Sequence, residues 1–296
     1  RRKSSSDWGR LGMSSKDMTN CDSFPLTEVL SFIVDNRGKS VPTVEDGIAL
    51  IATNCIKNTE LYPVFEKVRF LSKDTYDTWF RAHPKPGDII FVNKGTPGRV
   101  CLVPDPVNFC IAQDMMAFRV NKNIIDNKFL FAVLRSPQFQ NQIENFHVGT
   151  LIPHFKKGDL DKLIIPVPSM EVQKFIGETY YALCNKIELN NRMNKNLEEM
   201  AQAIFKSWFV DFEPFQDGEF EESELGMIPK GWRVGTIGEI LSEIEAGNRP
   251  KGGVGNLDKG IPSIGAENII GLGKYDYAKE KFVSYDYFKS MNKGVV

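Results

Sequence analysis

The chain has 296 residues, 42% hydrophobic and 25% charged, which is ordinary globular usage with length for two domains or more. A net charge of -1 excludes a generally basic body, so contact with a polyanion has to come from local loops. Five scattered cysteines without a Cys-x-x-Cys pair, only three histidines, no long apolar run and a basic, Ser-rich start without a signal region lead us to expect a soluble, cytoplasmic protein with reduced thiols, no metal and no membrane segment.

In chain order, residues 1–19 lack periodicity and read as a disordered tail, with Met13 and Met18 as plausible native starts. Residues 20–168 read as a mixed domain. Residues 25–34 carry Leu26, Val29, Leu30 and Ile33 at helical spacing and are expected to be a short helix, followed by a polar loop over 35–40. Residues 47–56, 88–92, 99–103, 112–120 and 163–167 read as strands. Residues 72–81 read as a helix capped by Ser72, and 127–146 as one longer helix with Phe129, Leu130, Val133, Leu134, Phe139 and Ile143 on its apolar face. Irregular interspersion of the two types gives an α+β class.

Residues 169–211 read as one long helix. Pro166 and Pro168 bar it upstream, Ser169 can cap it, and Pro214 with Gly218 closes it, so it would span roughly 60 Å at 1.5 Å per residue. A seam at Ile176, Tyr180, Leu183, Ile187, Asn190, Asn194, Leu197, Ala201, Ile204 and Trp208 repeats every three and a half residues, as in a helix that packs along a partner helix. The same seam also fits packing against its own domain. Asn190 and Asn194 either fix register within such a pair or face solvent or another subunit. Residues 212–231 read as an acidic linker, and 211–230 alone carry a net charge of -6.

The sequence then starts again. Leu26-Thr-Glu-Val-Leu-Ser31 matches Ile237-Gly-Glu-Ile-Leu-Ser242, Arg37 and Lys39 match Arg249 and Lys251, Gly47-Ile48 matches Gly260-Ile261, and Phe70-Leu71-Ser72 matches Phe282-Val283-Ser284. Residues 232–296 are therefore expected to be the start of a second copy of the first domain, in a chain truncated within that copy or cut from a longer protein.

Several segments occur in the order of a known family: Asn93-Lys-Gly-Thr-Pro-Gly-Arg99, Ile111-Ala-Gln-Asp114, Phe129-Leu-Phe-Ala-Val-Leu-Arg-Ser136, Gly149-Thr-Leu-Ile-Pro-His154, Ile164-Ile-Pro-Val-Pro168 and Leu225-Gly-Met-Ile-Pro-Lys-Gly-Trp232. Over residues 24–296 the chain resembles the DNA specificity subunit of type I restriction-modification systems. The resemblance implies two target-recognition domains joined by two antiparallel helices that act as a ruler and dock two modification subunits. Those subunits carry S-adenosylmethionine and methylate adenine, and a restriction/translocase subunit joins for cleavage. The specificity subunit itself is expected to be non-catalytic, without a cofactor of its own. Two departures stand out: Cys21 occupies the place of Trp232 in the first repeat, and the second recognition domain is incomplete.

The residues agree with recognition rather than chemistry. No Pro-Pro pair supplies an adenine methyltransferase turn, Gly38-Lys39-Ser40 lacks the upstream glycine of a phosphate-binding loop, and His83, His147 and His154 have no partner at metal or triad spacing. Reading DNA takes basic and amide side chains on loops. The candidates are Arg37 and Lys39, echoed by Arg249 and Lys251; Asn54, Lys57 and Asn58; Asn93, Lys94, Thr96 and Arg99 around two glycines; and Thr150, His154, Lys156 and Lys157. The helix seam could also pair two copies of the chain. The rival reading is a non-DNA assembly protein with a coiled-coil scaffold and a protein-binding globular domain.

Overall fold

The computed structural model describes residues 21–36, 40–111, 113–146, 155–254, 257–271 and 273–295. They fall into two compact units, Arg1–Ala201 and Gln202–Val296.

The first unit is built around strands so apolar that both faces of a sheet are covered. β2 (Leu30–Asp35), β8 (Met115–Val120), β5 (Ile89–Val92) and β6 (Val100–Leu102) form an antiparallel sheet in the order β2-β8-β5-β6. Side chains alternate across it. Ile89, Phe91, Met116 and Phe118 enter one core with Phe129, Leu130, Phe139 and Ile143, while Ile90, Val92, Met115 and Ala117 enter another with Ala49, Ile51, Phe109 and Ile111. A four-residue run such as Ile-Ile-Phe-Val is the result, because neither face meets water. The first core is roofed by α2 (Asn127–Leu134) and α3 (Pro137–Asn145). The second lies against a three-stranded sheet, β4 (Arg69–Leu71), β3 (Ile48–Ile51) and β7 (Phe109–Ile111), with β3 and β7 parallel. The far side of that sheet packs Leu50, Leu71 and Cys110 with Tyr76 and Trp79 of α1 (Lys73–Trp79). α1 is capped by Ser72, which accepts from the Thr75 N–H at 3.1 Å. β1 (Asp22–Pro25) pairs antiparallel with β9 (Ile164–Val167).

Two expectations change, and one strand is unexpected. Residues 25–34 are not a helix: Leu26–Val29 is a 3₁₀ turn and Leu30–Asp35 is β2, since pairing with β8 outweighs the helical spacing. The expected helix over 127–146 is two helices. Pro137 cannot continue α2, and Ser136 caps α3 by accepting from the Phe139 N–H at 3.3 Å. β7 (Phe109–Ile111) is not among the expected strands; it is held by parallel pairing with β3, a partner about 60 residues away that local pattern does not reveal.

The long helix, α4, spans Met170–Phe209, 40 residues. Its first turns belong to the first unit. The buried Gln173 side chain accepts from the Asp126 N–H at 2.8 Å and donates to Ile124 O at 3.1 Å and Pro168 O at 2.9 Å. Ile176, Tyr180, Tyr181 and Cys184 pack on the core, and the Tyr181 hydroxyl meets that of Tyr62 at 3.0 Å. Ile176 and Tyr180, expected in a seam facing a partner helix, therefore cover their own domain. From Leu183 onward the seam is exposed.

In the second unit, Trp232 lies 5.3 Å from both the Phe212 and Phe215 rings and 6.2 Å from Phe209. Residues 212–231, expected as a connector, contain a hairpin of β10 (Phe220–Ser223) and β11 (Gly226–Pro229). Beyond it come α5 (Ile237–Ile240), β12 (Ile261–Ser263), the pair β13 (Ile269–Gly271) and β14 (Lys274–Tyr275), β15 (Lys281–Val283) and α6 (Tyr285–Ser290). Here an arrangement of the first unit recurs. β12 pairs with β15 as β3 pairs with β4, and Ser284 caps α6 as Ser72 caps α1, accepting from the Tyr287 N–H at 3.2 Å. A Cβ on Gly47 would stand 2.4 Å from Leu71 O, and one on Gly260 2.4 Å from Val283 O.

Candidate nucleic-acid interface

Three of the sequence-selected clusters converge at one end of β5 and β6. β5 runs into the loop 93–98, which closes with Gly98 N–H to Val92 O at 3.0 Å and Val92 N–H to Arg99 O at 2.9 Å. Gly95 and Gly98 hold φ of +82° and +91°, a region that glycine enters without strain. Lys94 and Thr96 are exposed on this loop, and Lys94 Nζ stands 3.9 Å from Asp114 Oδ1. The Phe155 N–H donates to Asn93 O at 2.6 Å, which sets the exposed Lys156 and Lys157 beside the loop. The residues 53–58 join from the other side: Asn58 Oδ1 accepts from the Val100 N–H at 3.0 Å, next to Arg99.

The geometry reassigns several side chains. Asn93 is 1% exposed, and neither polar atom of its amide has a partner among the described residues, so it reaches no base edge. Loop polarity gave no sign that it points inward. Asn58 spends its carbonyl on Val100, and Asn54 spends its amide on Glu66 O. Lys57 is ion-paired with Glu66. The cations of these loops are Lys94, Lys156 and Lys157, which are exposed, and Lys57 and Arg99, which are half-buried. Arg37, Lys39, Thr150 and His154 lie outside the described residues. Arg249 and Lys251 are exposed in the second unit.

Beside Asp114, a cleft of ≈ 110 Å³ is lined by Ser40, Thr53, Arg69, Trp79, Gln113 and Asp114, which no sequence spacing brings together. His83, unassigned by the sequence, stacks on Tyr76 with ring centroids 3.8 Å apart, and its Nε2 bonds to Tyr76 O at 3.0 Å. Burial holds its pKa below the ordinary imidazole value. Burial likewise pushes the Cys110 thiol up to about 12. Among the described residues, no group of three or more His, Cys, Asp or Glu is placed to hold a metal, and no helix is long and apolar enough to cross a membrane.

Comparison with known proteins gives consistent results. A family model described as the type I restriction modification DNA specificity domain matches residues 40–199. The type I restriction enzyme MjaIX specificity subunit of Methanocaldococcus jannaschii is 28% identical over 194 residues, 64% of this chain and 44% of that protein. The type I restriction enzyme HindI specificity subunit of Haemophilus influenzae is 35% identical over 158 residues, 49% of this chain and 34% of that protein. The chain thus spans less than half the length of these curated relatives. The crystal structure of the HsdS subunit from Thermoanaerobacter tengcongensis aligns with a TM-score of 0.44 and 21% identity, over 82% of this chain and 60% of that one. With a matched segment that takes in more than half of its residues, the chain belongs to the type I restriction modification DNA specificity family.

Proposed function

We propose that this chain is the DNA-reading specificity subunit of a type I restriction-modification assembly. In this reading residues 20–168 are a target-recognition domain for one half of a bipartite duplex site, and residues 169–211 are the spacer. Residues 212–231 connect to 232–296, the opening of a second recognition domain. Modification subunits dock along α4, bring S-adenosylmethionine and methylate adenine; a restriction/translocase subunit joins for cleavage, and this chain performs no chemistry of its own, in the cytoplasm. The observation that carries the reading is the family match over residues 40–199, which takes in Lys57, Lys94, Arg99, Lys156 and Lys157. The test is reconstitution with the modification subunit of the same system, followed by mapping of methylated adenines. Methylation confined to one bipartite motif is expected, and methylation without sequence preference, or full methyl transfer by this chain alone, refutes the proposal.

The exposed seam favours a second element of the reading, pairing of two copies through α4. Leu183, Ile187, Leu197 and Ile204 are 59%, 53%, 55% and 52% exposed. Apolar surface at this spacing is covered in a coiled coil. Sedimentation at micromolar concentration should show a dimer; a strict monomer removes this element.

A further inference from the structure

Arg135 follows the last turn of α2, where its guanidinium lies 4.3 Å from the Phe131 ring centroid. Its Nη2 donates to three backbone carbonyls: Lys57 at 3.3 Å, Val100 at 2.9 Å, and Glu60. These acceptors lie 78, 35 and 75 residues away in sequence. Asn58 closes the same junction by accepting from the Val100 N–H at 3.0 Å. The Phe131 ring beneath the guanidinium also meets the Tyr180 ring of α4, with centroids 5.9 Å apart. One permanently charged, planar group thus ties the turn carrying Lys57, the strand start that follows Arg99, and the long helix together. Its charge is used on carbonyl dipoles, which a guanidinium satisfies several at a time.

We propose that Arg135 is a positioning residue for DNA recognition: it fixes Lys57 and Arg99 relative to each other and to α4, so both cations meet the duplex at a set place along the spacer. This rests on the DNA reading above. Holding the two loops in place before binding removes the cost of ordering them during binding, and it sets where along the duplex axis the contacts fall relative to the helix. An arginine that served stability alone would leave the contribution of Lys57 unchanged when removed.

The test uses the full chain and a duplex that carries its methylation-mapped site. Arg135→Gln should weaken binding about tenfold and lower the slope of log affinity against log salt by about 2, because each lost phosphate contact removes roughly 0.9. Lys57→Ala should cost several-fold in the unsubstituted chain and less than about twofold once Arg135 is gone. Arg135→Lys, which keeps the charge, should lower the slope by about 1 and carries the test if the glutamine variant does not fold. Ile48→Val, in the separate cluster that packs β3 against α1, should leave the slope unaltered. Full multiplication of the Arg135 and Lys57 losses at an unchanged slope overturns the proposal while leaving the DNA reading intact. Failure of the unsubstituted chain to bind duplex DNA overturns both.

Discussion

Replacing Gly177 with alanine sets two effects of opposite sign against each other. In a solvent-exposed helix, alanine is favoured over glycine by about 0.8–1.0 kcal/mol. Gly177 is instead buried where α4 crosses the start of α2, and its Cβ would stand 2.6 Å from Phe129 N, 2.9 Å from Asp126 Oδ1 and 3.0 Å from Lys128 C. The first two of these atoms form the N-cap bond of α2, Phe129 N–H to Asp126 Oδ1 at 2.9 Å. A methyl there pushes on backbone, which cannot rotate aside. Overpacking of this kind costs about 1–3 kcal/mol and a disturbed cap about 1 kcal/mol more. After the helical gain is set against them, a net loss of about 1–3 kcal/mol remains, at roughly 2–4 °C of Tm per kcal/mol for a unit of this size. Circular dichroism on heating, checked by denaturant unfolding, reads the sign directly. A higher Tm for Gly177→Ala, as helix propensity alone dictates, would refute the docking of α4 against α2.

Other substitutions test neighbouring parts of the same account. Gln173→Leu strands the Asp126 N–H and two carbonyls that Gln173 now satisfies, and should lower unfolding free energy by about 3 kcal/mol at an unchanged denaturant m-value; a loss under about 1 kcal/mol contradicts the anchor. His83 is held neutral by burial, so the unfolded chain binds its proton more readily; its contribution is complete above the unfolded pKa of about 6.5 and is lost as pH falls through the lower folded value. Melting temperature should therefore drop between pH 7.5 and 5.5 by more in the native chain than in His83→Phe, and equal slopes would rule this out. In thiol titration of the native protein, exposed Cys21 should react first and half-buried Cys184 more slowly. Cys55, Cys101 and Cys110 should react only on unfolding, since burial raises the Cys101 and Cys110 pKa values and blocks access; three or more fast equivalents would be inconsistent with this core.

Periodic and local signals made much of the fold readable in advance. The three-and-a-half-residue repeat announced α4, Ser72 announced the cap of α1, and the apolar runs announced β5 and β6. The signals that failed were those decided by distant partners. Leu26, Val29, Leu30 and Ile33 keep helical spacing, yet β8 recruits residues 30–35 into a sheet. Ser136-Pro137 is a helix start that a longer apolar pattern concealed. In the candidate loops, residue type did not give the direction in which an amide points: Asn93 turns inward and Asn58 holds a strand. Arg135 and Gln173 were invisible as functional residues because every group they bond lies far from them in sequence or is a backbone atom, which leaves no mark on composition or spacing.

Equilibrium binding of the full chain to duplex DNA, with random duplex as competitor across a salt series, tests the central claim most directly. The specificity reading predicts preference for one short site, and phosphate contacts from the five cations predict a slope of log affinity against log salt near -4 to -5, at roughly 0.9 per contact. Equal affinity for random duplexes at physiological salt, or a slope near zero, would contradict it.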